Sequence, residues 1–152
     1  MILYLHWIGW AVWLGAGLTF MVLAPASKRA ELAVWAYTWD VLARVQRALV
    51  APGCAVATVT GLALSMQYAQ RGGGMGAKWI VIMQVLGLLA AVLSLAVATP
   101  LANRMAFLAA RSLEKGEKDP RAESVRSKLA IVSSISGTFI LITLYFASAK
   151  PS

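Results

Sequence analysis

Residues 2–24 read ILYLHWIGWAVWLGAGLTFMVLA, a run that is apolar from end to end except for His6, the only histidine in the chain. About 20 predominantly apolar residues are enough for a helix to cross the hydrocarbon core of a bilayer. This run therefore predicts a transmembrane helix. A single imidazole inside such a helix needs either a functional or a structural explanation.

The composition supports a membrane protein throughout. Of the 152 residues, 60% are hydrophobic and only 13% are charged, and the mean hydropathy is +0.72. Soluble domains are about half apolar and about a quarter charged. We expect one membrane domain over residues 1–152.

The first run is too long for a signal-peptide core and no basic flank precedes it, so we expect it to remain as a mature helix.

Three further apolar runs follow the first one, so that the predicted transmembrane helices cover about 2–24, 48–69, 78–99 and 129–147. Backbone groups in lipid must be hydrogen-bonded internally, which favours helices over strands. The predicted fold is an all-α integral membrane protein, a four-transmembrane-helix up-down bundle.

The basic residues predict the orientation. Eleven of the 14 lie in the connections after the first and third helices, and three lie on the opposite side. Because cytoplasmic connections are enriched in Lys and Arg, both termini are expected to face outward, which in a bacterial inner membrane means the periplasm. Lipid headgroups, and not nucleic acid, are then the expected partners of the net charge of +8. The eleven are Lys28, Arg29, Arg44, Arg47, Arg104, Arg111, Lys115, Lys118, Arg121, Arg126 and Lys128.

The two basic connections differ in pattern. In the first, apolar residues recur at helical spacing, which predicts either an amphipathic inner-face helix or an extension of helix two. Its Trp35 and Trp39 suit the headgroup zone. The second, SLEKGEKDPRAESVRSKL, indicates a solvated linker in which Asp119 and Pro120 form an N-cap and a first helical residue.

Small residues predict how the helices pack. Gly53, Ala57, Gly61 and Ser65 repeat every four residues along helix two. Such stripes let membrane helices approach closely. The stripe places helix two at the centre of the bundle or against another copy of the chain.

Candidates for chemistry are few. All six carboxylates lie in the connections or their helical extensions, and Cys54 is the single cysteine. His6 has Trp10 and Trp13 on its face, and it is either an interfacial histidine or a ligand to haem iron or another metal. Because successive helices run in opposite directions, helices one and three start at the same membrane surface. Lys78, at the start of helix three, can therefore lie near His6.

Further side chains join this predicted outer site. Lys78 and Arg71 are candidates to pair with a propionate or an anionic substrate. A thioether from Met66, Met75 or Met83 is a candidate second ligand to haem or to copper(I).

The sequence LHWIGWAVWLGAGL at residues 5–18 resembles the first helix of the HemJ-type membrane protoporphyrinogen oxidases and of the related copper-resistance D-like membrane proteins. It also resembles a family of small uncharacterised membrane proteins. Arg47 to Gly53, reading RALVAPG, and Lys78 resemble features of the second and third helices of the oxidases. The resemblance implies that His6 is a haem-b ligand and Lys78 a second essential residue in oxidation of protoporphyrinogen IX.

Three hypotheses follow. The leading one is a haem b or tetrapyrrole site for redox chemistry, with His6 as axial ligand, Trp10 and Trp13 as walls, and Lys78 and Arg71 as anion partners. The second is a non-catalytic accessory subunit of a larger respiratory or photosynthetic complex, or a homo-oligomer. The third is a copper-handling protein that uses His6 with Met66, Met75 or Met83.

Overall fold

The computed structural model describes residues 1–73 and 78–149, and every regular element in this part of the chain is helical. Four continuous helices are long and apolar enough to cross a membrane. The predicted all-α four-helix membrane bundle is therefore confirmed. The elements are α1 (Ile2–Ala26), a 3₁₀ turn (Ser27–Arg29), α2 (Leu32–Val45), a π segment (Gln46–Val50), α3 (Ala51–Gln70), α4 (Lys78–Val92), a second π segment (Leu93–Ala98), α5 (Thr99–Lys115) and α6 (Pro120–Ala149).

The two middle crossings are much longer than the predicted 48–69 and 78–99. The first π segment joins α2 to α3 in one helix over Leu32–Gln70, and the second joins α4 to α5 over Lys78–Lys115. The expectation that the third helix stops before Pro100 was therefore wrong. A proline lacks an N–H and crowds the carbonyl four residues earlier, and the wider π turn just before it relieves that conflict without ending the helix.

The inner connection after α1 is an extension of the second crossing and not a separate interfacial helix. Trp35 and Trp39 are only 4% and 1% exposed, so their rings pack inside the bundle and do not face lipid headgroups as predicted. They face inward because α2 packs along α5. At 1.5 Å per residue the 39-residue helix is about 58 Å long, against about 40–45 Å for a whole bilayer.

The predicted linker between the third and fourth crossings is mostly helix. Lys115 ends α5, and Gly116 follows in the left-handed conformation with φ of 75°. The predicted N-cap is confirmed, because Asp119 Oδ1 accepts the Arg121 N–H at 2.9 Å and α6 begins at Pro120. The fourth crossing thus starts well before the expected residue 129.

The small-residue stripe lies against α1 of the same chain. A Cβ on Gly9 would lie 2.6 Å from the Ala57 backbone nitrogen, and one on Gly53 would lie 2.9 Å from the Trp13 backbone nitrogen. The two backbones therefore touch along this line. This contact within the chain brings His6 against α3.

Candidate functional site

His6 is held at the α1–α3 contact through both ring nitrogens. Its Nδ1 lies 2.9 Å from the Ala57 carbonyl oxygen and 3.0 Å from Thr60 Oγ1, and its Nε2 lies 2.9 Å from Trp10 Nε1. An indole N–H only donates. Nε2 must therefore accept, and Nδ1 carries the proton that is donated to Ala57. The imidazole is thereby fixed in one neutral tautomer.

Gly61 provides the space for this ring. A Cβ at Gly61 would lie 2.9 Å from His6 Cε1. Every larger residue at position 61 would have to displace the imidazole. The glycine that continues the packing stripe of α3 is thus also part of the histidine site.

Trp10 and Trp13 form one aromatic wall beside His6. Their rings stack at 5.1 Å with 21° between the planes, and Trp10 meets the imidazole edge-on at 6.0 Å. Both indoles are buried. The wall is anchored at its far end, where Trp13 Nε1 donates to Ser94 Oγ at 3.3 Å.

The wall faces a cavity of about 720 Å³ between α1, α3, α4 and α6, which we call the main cavity. Pockets for small molecules have volumes of about 300–1,000 Å³ and combine an apolar lining with few polar groups. The main cavity fits that description, since its polar side chains are scattered among aliphatic and aromatic ones. Its polar lining comprises His6, Thr58, Ser65, Tyr68, Gln84 and Thr143, together with the indole N–H groups.

The rim of the main cavity reaches the lipid-facing surface. Leu3, Trp7, Leu62, Val85 and Leu88 line it and are also among the exposed apolar side chains. In a membrane these exposed faces contact acyl chains. A hydrophobic molecule dissolved in the bilayer can therefore reach the cavity laterally.

The structure brings together only some of the predicted site residues. His6, Trp10, Trp13 and Met83 all line the main cavity. Lys78 is exposed and does not line it, although its neighbours Trp79 and Ile80 do.

The other predicted outer residues lie elsewhere. Arg71 is exposed and outside the lining, and Met66 is 61% exposed. Met75 lies outside the described residues. In the described ranges, no group of three or more His, Cys, Asp or Glu side chains is placed to hold a metal ion.

Sequence reasoning named Met83 on α4 but missed the rest of the α4 face that lines the cavity. Ile80, Met83, Gln84, Gly87 and Leu88 all line it. Their separations of three and four residues put them on one face of a helix. That spacing was available in the sequence, but Gln84 is the only polar residue between Trp79 and Val92, and one polar side chain gives little polarity contrast to reveal which face is inward.

A buried polar network lies beyond the Trp13 end of the wall. Gln46 Nε2 donates to the Ser94 carbonyl oxygen at 3.2 Å and to Thr99 Oγ1 at 3.1 Å. Ser94 Oγ and Ser136 Oγ lie 3.0 Å apart. With Trp13, this network ties all four crossings together at the two π segments.

Comparison with known proteins identifies the family. The model of the family described as "Predicted integral membrane protein (DUF2269)" matches residues 1–151. The chain belongs to the DUF2269 family. No curated protein and no solved structure matches the chain.

Membership in DUF2269 agrees with the predicted small family of integral membrane proteins. The chain is therefore a multi-pass integral membrane protein, and its outer surface contacts lipid. The finer resemblance to the HemJ-type oxidases and copper-resistance D-like proteins stays a prediction.

Proposed function

We propose that this DUF2269 protein binds a flat tetrapyrrole from the lipid phase in its main cavity, with haem b as the favoured ligand, for oxidation of a tetrapyrrole substrate or for electron transfer. The observation that carries the proposal is the orientation of His6. Histidines that ligate metals almost always donate their second ring N–H to a carbonyl, a carboxylate or water. Here Nδ1–H donates to the Ala57 carbonyl, so Nε2, which accepts from Trp10, is the nitrogen that a metal would use.

The remaining lining fits the same ligand class. Trp10 and Trp13 provide a planar wall, and the cavity has the size and apolar character of a cofactor site. Haem b, when bound, would supply one-electron redox chemistry that the described side chains lack. Lys78 stands next to the lining residue Trp79, where its ammonium would pair with a propionate at the surface.

One hydrogen bond would have to break before His6 could hold haem iron. The lone pair of His6 Nε2 is held by the Trp10 N–H at 2.9 Å. Ligation requires this donor to leave. Trp10 therefore competes with the ligand for the same nitrogen, while Ala57 continues to orient the ring.

The experiment is expression with ample haem and purification in mild detergent, using an affinity tag without histidines because His6 is the only histidine. A Soret band that is lost in His6→Ala and kept in Tyr4→Ala supports the proposal. Tyr4 is a matched control, because it is exposed on the same helix and does not line the cavity. Absence of a Soret band in the wild-type protein would contradict haem binding.

Copper handling is the second candidate, and one observation favours it. Met83 lines the same cavity as His6, and imidazole with thioether is a ligand pair suited to copper(I). Stoichiometric copper in the purified protein, lost in both His6→Ala and Met83→Leu, would select this candidate.

An accessory subunit could have used the small-residue stripe or the tryptophan-rich inner helix as docking surfaces, but both are engaged within the chain. The small-residue stripe contacts α1, and Trp35 and Trp39 are buried within the chain. An oligomer or a larger complex therefore needs a different surface. We further propose a bacterial inner membrane as the location, with both termini in the periplasm, because the basic residues cluster at the opposite end.

A further inference from the structure

A second cavity, of about 270 Å³, lies among the basic residues at the end of the bundle where α1 ends and α6 begins. We call it the basic-end cavity. It shares no lining residue with the main cavity. Its lining consists of Lys28, Trp35, Met105, Lys118, Asp119, Pro120, Ala122, Glu123 and Arg126.

Lys118 is held in place at this cavity. Its Nζ donates to the Lys28 carbonyl oxygen at 3.2 Å and lies 5.4 Å from the centre of the Trp35 ring. The adjoining turn is fixed because Ser112 Oγ accepts the Asp119 N–H at 2.9 Å. An ammonium that is already ordered loses less side-chain freedom when it binds an anion.

The acidic groups in the lining are already engaged. Asp119 Oδ1 accepts the Arg121 N–H at 2.9 Å. Glu123 Oε2 accepts from Arg126 Nε at 2.9 Å, and the two side chains form an ion pair.

The two lysines have no such partner. Over residues 1–73 and 78–149, the only other carboxylate ion pair joins Asp40 to Arg44. No carboxylate of the described chain thus lies within ion-pair distance of Lys28 or Lys118, although Glu123 feels the Lys28 charge at longer range. The three cations of the lining exceed its two carboxylates by one, so the cavity is net positive.

The depth of the cavity indicates where its anion comes from. The 25 residues of α1 extend about 37 Å, which exceeds the hydrocarbon thickness of about 30 Å and falls short of the whole bilayer. Lys28 follows the end of this helix by two residues. It therefore lies in the headgroup layer, with the exposed apolar side chains Met21, Val22 and Leu23 immediately towards the membrane.

We infer that the basic-end cavity binds the phosphate group of an anionic phospholipid, with the ammonium groups of Lys28 and Lys118 as its counter-charges. The acyl chains lie along the exposed side chains at the end of α1. Basic pockets between transmembrane helices are known binding places for anionic headgroups. This site is independent of the ligand of the main cavity.

The experiment measures binding of short-chain phosphatidylglycerol to the purified full-length protein through the rise in its thermal unfolding midpoint. Short-chain phosphatidylcholine and inorganic phosphate are tested in parallel. We expect phosphatidylglycerol to raise the midpoint and phosphatidylcholine to leave it unchanged. Each lysine near an anionic surface contributes about 1 kcal/mol, so the double variant Lys28→Gln/Lys118→Gln should bind about thirty-fold more weakly.

The control is the double variant Arg104→Gln/Arg111→Gln, which removes two exposed cations of the same basic region outside the cavity. It should retain wild-type affinity. Lys28→Gln alone is also measured, because the Lys28 side chain makes no hydrogen bond within the described chain and its loss should not disturb folding.

The outcomes separate clearly. Equal weakening in the arginine and lysine variants would overturn the site in favour of general surface attraction, and so would undiminished binding to Lys28→Gln/Lys118→Gln. A midpoint rise with inorganic phosphate that matches the rise with phosphatidylglycerol would support phosphate binding but overturn the lipid as its source.

Discussion

The indole N–H of Trp10 donates to Nε2 of His6 across 2.9 Å, one helical turn away on α1. The opposite nitrogen of the same ring is engaged by α3 through the Ala57 carbonyl oxygen. The α3 helix therefore orients the imidazole, and Trp10, on the same helix as His6, occupies Nε2. A ligand that binds Nε2 must displace the Trp10 N–H, but the hydrogen bond from Nδ1 to Ala57 can remain and keep the ring in place.

Replacement of Trp10 by Phe should strengthen haem binding. The variant keeps an aromatic ring in the wall and removes the donor that competes for Nε2. A hydrogen bond of this kind contributes about 0.5–1.5 kcal/mol net, so the affinity for haem should rise up to about tenfold. Haem titration followed at the Soret band measures the change.

Trp7→Phe is the matched control for that variant. Trp7 also lines the main cavity, but its indole makes no hydrogen bond to His6. Its replacement should leave haem affinity within about twofold. Loss of haem binding in Trp10→Phe alone would show that the indole N–H assists the ligand and does not compete with it.

A methyl group at position 61 should disturb the histidine. In Gly61→Ala the new Cβ would lie 2.9 Å from His6 Cε1, so the imidazole must shift and its bond to Ala57 must weaken. We expect a loss of haem affinity of roughly tenfold, about one net hydrogen bond, with little loss of helix content. Spectral titration and circular dichroism measure the two effects.

Gly87→Ala serves as the comparison within the same cavity. Gly87 lines the main cavity, and a Cβ there meets nothing within 4 Å. It should leave the His6 bonds intact. If Gly61→Ala and Gly87→Ala have the same effect, the cavity volume and not the position of His6 governs binding.

The contact between α1 and α3 should tolerate no added carbon. Gly9→Ala and Gly53→Ala place a Cβ at 2.6 and 2.9 Å from backbone atoms of the other helix, and backbone cannot move aside as a flexible side chain can. Each should destabilise the protein by about 1–3 kcal/mol. Gly15→Ala and Gly17→Ala, where nothing lies within 4 Å, should be neutral or slightly stabilising in the same unfolding assay.

The buried glutamine should matter for stability. Gln46→Leu removes two hydrogen bonds to the neighbouring crossing, at the level of both π segments. Interhelical bonds in membranes average about 0.6 kcal/mol and reach about 1.7, so we expect a loss of about 1–2 kcal/mol. Thr138→Val, which removes only a bond to its own helix, is the control. If Gln46→Leu leaves the free energy of unfolding unchanged, side-chain packing and not hydrogen bonding stabilises the contact between the π segments.

Fusion reporters should reveal the orientation. Alkaline phosphatase is active only outside the cytoplasm, so a fusion after Ala149 should be active and an insertion at Gly116 inactive. Gly116 lies between α5 and α6 at the basic end. The reverse pattern would contradict the proposed periplasmic termini.

The sequence predicted the number of crossings because each contains about 20 apolar residues, and it predicted the Asp119 cap because the residue pair is specific. It did not reveal that the third crossing continues through Pro100. A π turn is a backbone adjustment with no residue signature of its own, and it depends on partners such as Gln46 on another helix.

The candidate site was predictable in part for similar reasons. His6 is conspicuous in an apolar run, and its aromatic neighbours Trp10 and Trp13 follow at helical spacing. Its partners Ala57 and Thr60 bind through a backbone oxygen and a common hydroxyl, which no pattern marks. Lys78 begins the third crossing, as predicted, but its side chain is exposed and does not line the cavity. Whether a residue at a helix end is buried depends on the packing of neighbouring helices, which the sequence does not show.

The most direct test of the central claim compares titrations of haem and of metal-free protoporphyrin IX into the wild-type protein and His6→Ala. If His6 Nε2 ligates iron in the main cavity, the substitution should weaken haem binding at least tenfold and leave binding of the metal-free ring unchanged. Equal weakening of both ligands, or of neither, would contradict iron ligation by His6.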